Sequence, residues 1–330
     1  MLLESLNVTG DLAGLLLDYL HAHNADAPAL YKQLQQFTPN SRMTFRQWWR
    51  LLDDLQTQFP DRPVGLELGL SVRPAHLGVL GYLTLSCDTV AEALQRFERY
   101  QRLLHDGDMA HAIFEGSEVC MRWSSDFGPS TRLSDEVLVV GMIRFVRMMT
   151  GIDSLTPSRV NFMFPPPADL SAHQALFQCP MQFEQPYTEL YFPLDYFALP
   201  VTNSDPGLKN LLDQQAQTLL SVLPEQEDFV QDLQQAIIKA IQNGEPTLEQ
   251  VARTLALSPR TLHRRLAEKG LVFKVVLQEM RLQLARQYLK EKRLTLAEIA
   301  LLLGYSEQSA FTRAFRQWTG KTPLQYQKQR

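Results

Sequence analysis

Seven side chains near the C-terminal end of this 330-residue chain are of the types that read base-pair edges. Arg260, His263 and Arg264 form one set; Gln308, Ser309, Thr312 and Arg313 form the other. On helices, each set falls on one face. An arginine fork matches guanine O6 and N7, a glutamine amide matches adenine, and serine or threonine hydroxyls bond either edge. Nearby, Lys269, Lys274, Lys292, Arg293, Arg316 and Lys321 suit phosphate contact, which supplies affinity without sequence information.

A repeat positions these sets. Residues 247–258 and 295–306 both read Thr-Leu-x-x-(Val/Ile)-Ala-x-x-Leu-x-x-Ser, and each copy is followed by a short basic helix. That is the pattern of a helix-turn-helix. In the first copy Val251, Ala252 and Leu255 face inward, Ala256-Leu257 makes the turn, Ser258 caps, and Pro259 opens the second helix, which Gly270 closes. Leu262 and Leu266 point inward. In the second copy Ile299, Ala300 and Leu303 pack, Gly304 supplies the turn, Ser306 or Glu307 caps, and Phe311 and Phe315 point inward. The inward residues match in spacing while the outward residues differ in identity, so each copy is expected to read different bases of an asymmetric element. Residues 273–290 read as one long helix that sets the two units about one DNA turn apart, roughly 34 Å.

Charge follows the same division. Residues 229–330 hold 17 of the 32 basic residues and 8 of the 36 acidic ones, so they carry +9 and residues 1–228 carry −13. A basic module of this kind calls for a polyanion partner. Cys87, Cys120 and Cys179 are widely spaced, with no Cys-x-x-Cys pair, and read as reduced thiols of a cytoplasmic protein. The first residues lack a basic n-region, and no apolar run reaches the roughly 20 residues needed to span a bilayer.

The front two-thirds reads as α+β. Helical spacing covers residues 9–20, 43–57, 89–104 and 131–150. Residues 108–124 read as a hairpin turning at Glu115-Gly116, and residues 159–164 and 189–192 as strands. The glycine-punctuated stretch 77–82 fits either helix or strand. Residues 202–207 are linker by composition, and 208–223 is an amphipathic helix that packs on its own domain or on a second copy. The expected organisation is a regulatory domain at 1–205, a linker with a dimerisation helix at 206–228, and an all-α DNA-binding domain at 229–330. Tyr82, Arg102, Trp123 and Arg144 are the candidates for contacting a small organic acid or amino acid in the front domain. His105 and His111 lack a third ligand at metal spacing. No catalytic or nucleotide-binding motif is present, so neither an enzyme nor a cofactor is expected.

Residues 247–326 resemble the double helix-turn-helix domain of the AraC/XylS transcription regulators. The carriers are Ile299-Ala-Leu-Leu-Leu-Gly-Tyr-Ser-Glu-Gln-Ser-Ala-Phe-Thr-Arg-Ala-Phe315, then Trp318-Thr-Gly, Pro323 and Tyr326, with Ser258-Pro-Arg-Thr-Leu-His-Arg-Arg-Leu266 in the first unit. The front part is similar to the arabinose-binding-type domain of the ornithine-utilisation branch, through Leu77-Gly-Val-Leu-Gly-Tyr82, Tyr100-Gln-Arg-Leu-Leu104 and Phe177-Gln-Cys-Pro-Met-Gln-Phe183. The resemblance implies a transcription activator acting on double-stranded promoter DNA with RNA polymerase. It would answer to a small effector, such as an amino acid, a fatty acid or another organic acid. Control by homodimerisation or a protein partner, without a small ligand, stays open beside it. So does an enzyme fused to a DNA-binding domain, though no catalytic constellation supports one.

Overall fold

The computed structural model describes residues 2–38, 41–123, 125, 127–223, 228–291 and 294–328. Its helices are α1 (Leu2–Ser5), α2 (Leu12–Ala22), α3 (Pro28–Leu34), α4 (Phe45–Gln58), α5 (Val64–Ser71), α6 (Gly78–Leu85), α7 (Val90–Tyr100), α8 (Arg132–Thr150), α9 (Ser171–Phe177), α10 (Pro206–Val222), α11 (Asp228–Gln242), α12 (Leu248–Thr254), α13 (Pro259–Glu268), α14 (Phe273–Glu291), α15 (Leu296–Leu302), α16 (Gln308–Thr319) and α17 (Pro323–Lys328). Its strands are β1 (Asn7–Thr9), β2 (Arg42–Thr44), β3 (Ala110–Glu115), β4 (Glu118–Trp123), β5 (Arg159–Asn161), β6 (Met181–Gln182) and β7 (Thr188–Pro193). They form two compact units, one of residues 6–124 and 130–223, the other of residues 1–5, 125–129 and 224–330.

The first unit is α+β and is organised around α8. Thr131 caps this helix by accepting from the Ser134 amide, Asp135 lies in its first turn and Arg147 in its last. Gly151 ends it at φ 69°, a left-handed conformation that glycine adopts without a Cβ clash. The sheet order is β3-β4-β7-β5-β6, antiparallel except for the β5–β6 pair. On one face, Val119, Met121 and Trp123 of β4 join Leu190 and Phe192 of β7 against Val139, Val140, Ile143 and Val146 of α8. On the other, Glu189 is buried and accepts from Arg122 Nε at 2.7 Å and Asn161 Nδ2 at 2.6 Å. Those donors offset the desolvation that a lone buried carboxylate would suffer. Asp135 accepts from Thr188 Oγ1 at 3.0 Å, and burial pushes its carboxyl up to about 7.

The stretch 77–82, which fits helix or strand by pattern, lies in α6 and the turn before it. The strand expected over 159–164 ends at Asn161. Two glycines on α5 let it approach α8 closely: a Cβ on Gly69 would stand 2.5 Å from Val140 Cβ, and one on Gly65 would collide with the Glu136 side chain. Helix α10 begins with Asp205 as cap and Pro206 in its first turn, and packs Leu212, Ala216 and Leu220 onto this unit's core. Leu208, Leu211 and Val222 of the same helix are 44, 63 and 70% exposed. No helix among the described residues is long and apolar enough to cross a membrane.

Candidate DNA-reading surface

The second unit holds both repeat copies as helix-turn-helices. In the first, Thr247 caps α12 by accepting from the Gln250 amide. The chain turns at Ala256 with φ 52°, and Ser258 caps α13 by accepting from the Thr261 amide at 3.1 Å. Leu262 and Leu266 are buried. Arg260, His263 and Arg264 are exposed on the opposite face, with Arg264 Nε 3.7 Å from Glu268 Oε1. This surface pair is weak and readily exchanged for a base or phosphate. Arg265 is also exposed, and its guanidinium lies 5.4 Å from the centre of the Phe229 ring on α11.

In the second copy α15 carries a full capping box, in which Thr295 Oγ1 accepts from the Glu298 amide and the Thr295 amide donates to Glu298 Oε2 at 2.7 Å. That bond holds the Glu298 carboxyl below its ordinary value. Gly304 makes the turn at φ 71°. Of the two cap candidates, Glu307 holds the N-cap position of α16, and its side chain makes no capping bond. Instead it accepts from Ser309 Oγ at 3.0 Å. Phe311 and Phe315 are buried, and Phe315 meets Tyr326 edge-on with ring centres 5.4 Å apart. Gln308, Ser309 and Arg313 are exposed, and Thr312 is half-buried beside them.

Between the units runs α14, whose 19 residues span about 28 Å at 1.5 Å each. It contributes a residue that sequence reasoning did not single out. Arg281 Nε donates to Leu303 O at 2.9 Å and Nη2 to Gly304 O at 3.0 Å, while its guanidinium lies 4.3 Å from the Tyr305 ring centre. The arginine thus fixes the second turn from behind, and burial lowers its pKa. Nothing in the spacing of the repeat marks it, because its partners are main-chain carbonyls.

Of the expected phosphate contacts, Lys274 and Arg316 are exposed and Lys321 is half-buried. Lys269 is half-buried too, and burial lowers its pKa. Lys292 and Arg293 lie outside the described residues.

None of Tyr82, Arg102, Trp123 and Arg144 lines either of the two cavities described below. Tyr82 is 48% exposed, and Trp123 belongs to the core. Arg144 Nε donates to Val72 O at 2.9 Å, and the carbonyl of Arg102 accepts from Arg42 Nη1 at 3.3 Å. His105 is half-buried, and its desolvation pushes its pKa down to about 4, while His111 is exposed. No cluster of three His, Cys, Asp or Glu able to hold a metal occurs among the described residues. Two cavities do occur. One is a groove with Glu67, Arg147, Asp153 and Gln178 in its wall. The other lies between α6, α7, α8, β4 and β7 and is lined almost wholly by apolar side chains.

A basic pair of helix-turn-helices beside an α+β domain defines a DNA-binding transcription regulator. Comparison with known families agrees: residues 33–201 match the "Arabinose-binding domain of AraC transcription regulator, N-term" and residues 251–329 match the "Helix-turn-helix domain". The chain belongs to the AraC family of transcription regulators. It is similar to the ornithine utilization regulator of Pseudomonas aeruginosa, at 31% identity over 98% of each chain. It is also similar to the regulator VqsM of the same organism, at 23% identity over 79% of this chain and 82% of that one. Among solved structures, the transcriptional regulator CdpR from Pseudomonas aeruginosa matches over 91% of this chain and 96% of its own, at 24% identity and a TM-score of 0.42. The matching domains and the 31%-identical relative are those of regulators, not of enzymes.

Proposed function

We propose that this protein activates transcription by placing α13 and α16 in successive major-groove segments of an asymmetric promoter element, under the control of a small organic metabolite held by the front domain. The observation that carries the DNA-reading part is the pair of exposed polar sets on the two helices, alike in position and different in identity. Arg260, His263 and Arg264 then read one segment, and Gln308, Ser309, Thr312 and Arg313 the next. Lys269, Lys274, Arg316 and Lys321 supply phosphate contacts; Lys292 and Arg293, outside the described residues, carry the same expectation from their type. The name of the 31%-identical relative, a regulator of ornithine utilization, makes ornithine the first polar effector to try. The protein acts in the cytoplasm, where its target DNA and RNA polymerase are found.

A second mode of control has its own support. Leu208, Leu211 and Val222 of α10 stay exposed although Leu212, Ala216 and Leu220 of the same helix pack inward. These exposed residues fit a second copy of the chain, which would make the regulator a homodimer. Sedimentation of Leu211→Glu against wild type separates this mode from a monomer. The activator reading is tested by transcription in vitro from a promoter carrying the selected element. The protein is expected to raise transcript yield; lowered yield would make it a repressor, and no binding to the element at moderate salt would overturn the reading.

A further inference from the structure

The cavity of the first unit differs from the usual metabolite pocket in what its walls offer. It is about 60 Å³. Its lining comes from α6 and the turn before it, α7, α8, the facing strands β4 and β7, and the turn that follows β7. Met121, Met142 and Met149 stand in its wall with Phe97, Phe145 and Phe192. Thr84 is the one polar side chain, and its hydroxyl already donates toward Leu80 O and Gly81 O, both at 3.1 Å. No charged group lines the space. An ammonium, a carboxylate or a sugar hydroxyl drawn into it would lose its water and find no partner. An alkyl chain loses nothing, and unbranched methionines adapt to its shape. An apolar cavity of about 150 Å³ holds a benzene-sized group, so this one takes roughly two or three carbons.

We propose that this cavity is a binding site for the end of the alkyl chain of an apolar effector, such as a short- or medium-chain fatty acid, whose polar head stays outside the apolar wall. The inference rests on the reading of the front domain as an effector domain and narrows the class of effector. It also gives the cavity a route to regulation. Its walls are the packed faces of α6, α7 and α8, and filling them favours one arrangement of those helices over others by differential binding.

The test uses the full-length protein and straight-chain carboxylates from butanoate to decanoate as probes, with L-ornithine beside them. Binding is read by calorimetry and by the shift in unfolding temperature. Each methylene that enters the cavity is expected to strengthen binding about fourfold, up to the length the cavity accepts. Met142→Ala, which lengthens the space, is expected to move the preferred chain about two carbons longer. Val146→Phe, which fills the space, is expected to abolish binding; if that variant does not fold, the Met142→Ala shift still decides. Binding that ignores chain length, or a preferred length unchanged by Met142→Ala, overturns the proposal. Ornithine binding with no response to any carboxylate also overturns it, and leaves the effector-domain reading standing with the Glu67–Arg147 groove as its site. No response to either class sinks the small-effector reading itself.

Discussion

The two helix-turn-helix units solve one folding problem by different means. Each must reverse the chain between two short helices through a residue with positive φ. The second unit uses Gly304, braced from behind by Arg281. The first uses Ala256, a residue whose Cβ disfavours that conformation. Counting back 48 residues, the repeat offset, from Arg281 reaches Leu233, a buried apolar residue of α11. The capping chemistry is reversed: Ser258 bonds the first turn of α13, whereas the Glu307 side chain leaves α16 uncapped. The second unit is therefore built around a polar clamp and a strain-free turn, and the first around apolar contacts and a helix cap. A duplicated architecture persists while its stabilising contacts are exchanged.

The largest expected effect comes from removing the clamp. Arg281→Met leaves the Leu303 and Gly304 carbonyls without their charged donor, and is expected to cost about 2–4 kcal/mol in denaturant unfolding. If it costs less than about 1 kcal/mol, the clamp is not what holds the second turn. The turns themselves give opposite signs. Gly304→Ala is expected to destabilise by about 1–2 kcal/mol, because a Cβ at that φ is strained and would stand 3.4 Å from Arg281 Nη2. Ala256→Gly is expected to stabilise by about 0.5–1 kcal/mol, since relief of left-handed strain exceeds the added entropy of the unfolded chain. Equal signs in the two thermal melts would break the comparison. The smallest contrast is at the caps: Ser258→Ala is expected to cost about 1 kcal/mol, while Glu307→Ala changes stability by only a few tenths.

Much of this rear unit was legible in the sequence. Inward apolar residues at helical spacing, the Ser258 cap and the glycine at 304 each obey a local rule, so helices α12, α13, α15 and α16 could be read directly, whereas the Thr247 and Thr295 caps came from the structure. The hairpin of β3 and β4 and the helix α8 were legible for the same reason. Arg281 was not, because a side chain that bonds main-chain carbonyls leaves no pattern. The parallel pairing of the two-residue β6 was also hidden, being too short to show alternation. Gly65 and Gly69 did carry a signal, small residues four apart, but its meaning depends on where α8 passes. Tyr82, Arg102, Trp123 and Arg144 stand out by residue type alone. Type does not give direction, and Arg144 is held by the Val72 carbonyl. The cavity lined by Met121, Met142 and Met149 is assembled from separate elements, and each of its residues reads singly as core.

The central claim is that the two units read different bases. Selection of bound sites from a random double-stranded library, with wild type, Arg260→Ala and Arg313→Ala at one salt concentration, tests it most directly. Each variant is expected to lose about 1–3 kcal/mol of base discrimination in its own segment, the two segments lying about one helical turn apart. Loss of discrimination in the same segment for both variants, or a uniform loss of affinity across all sites, would contradict the account.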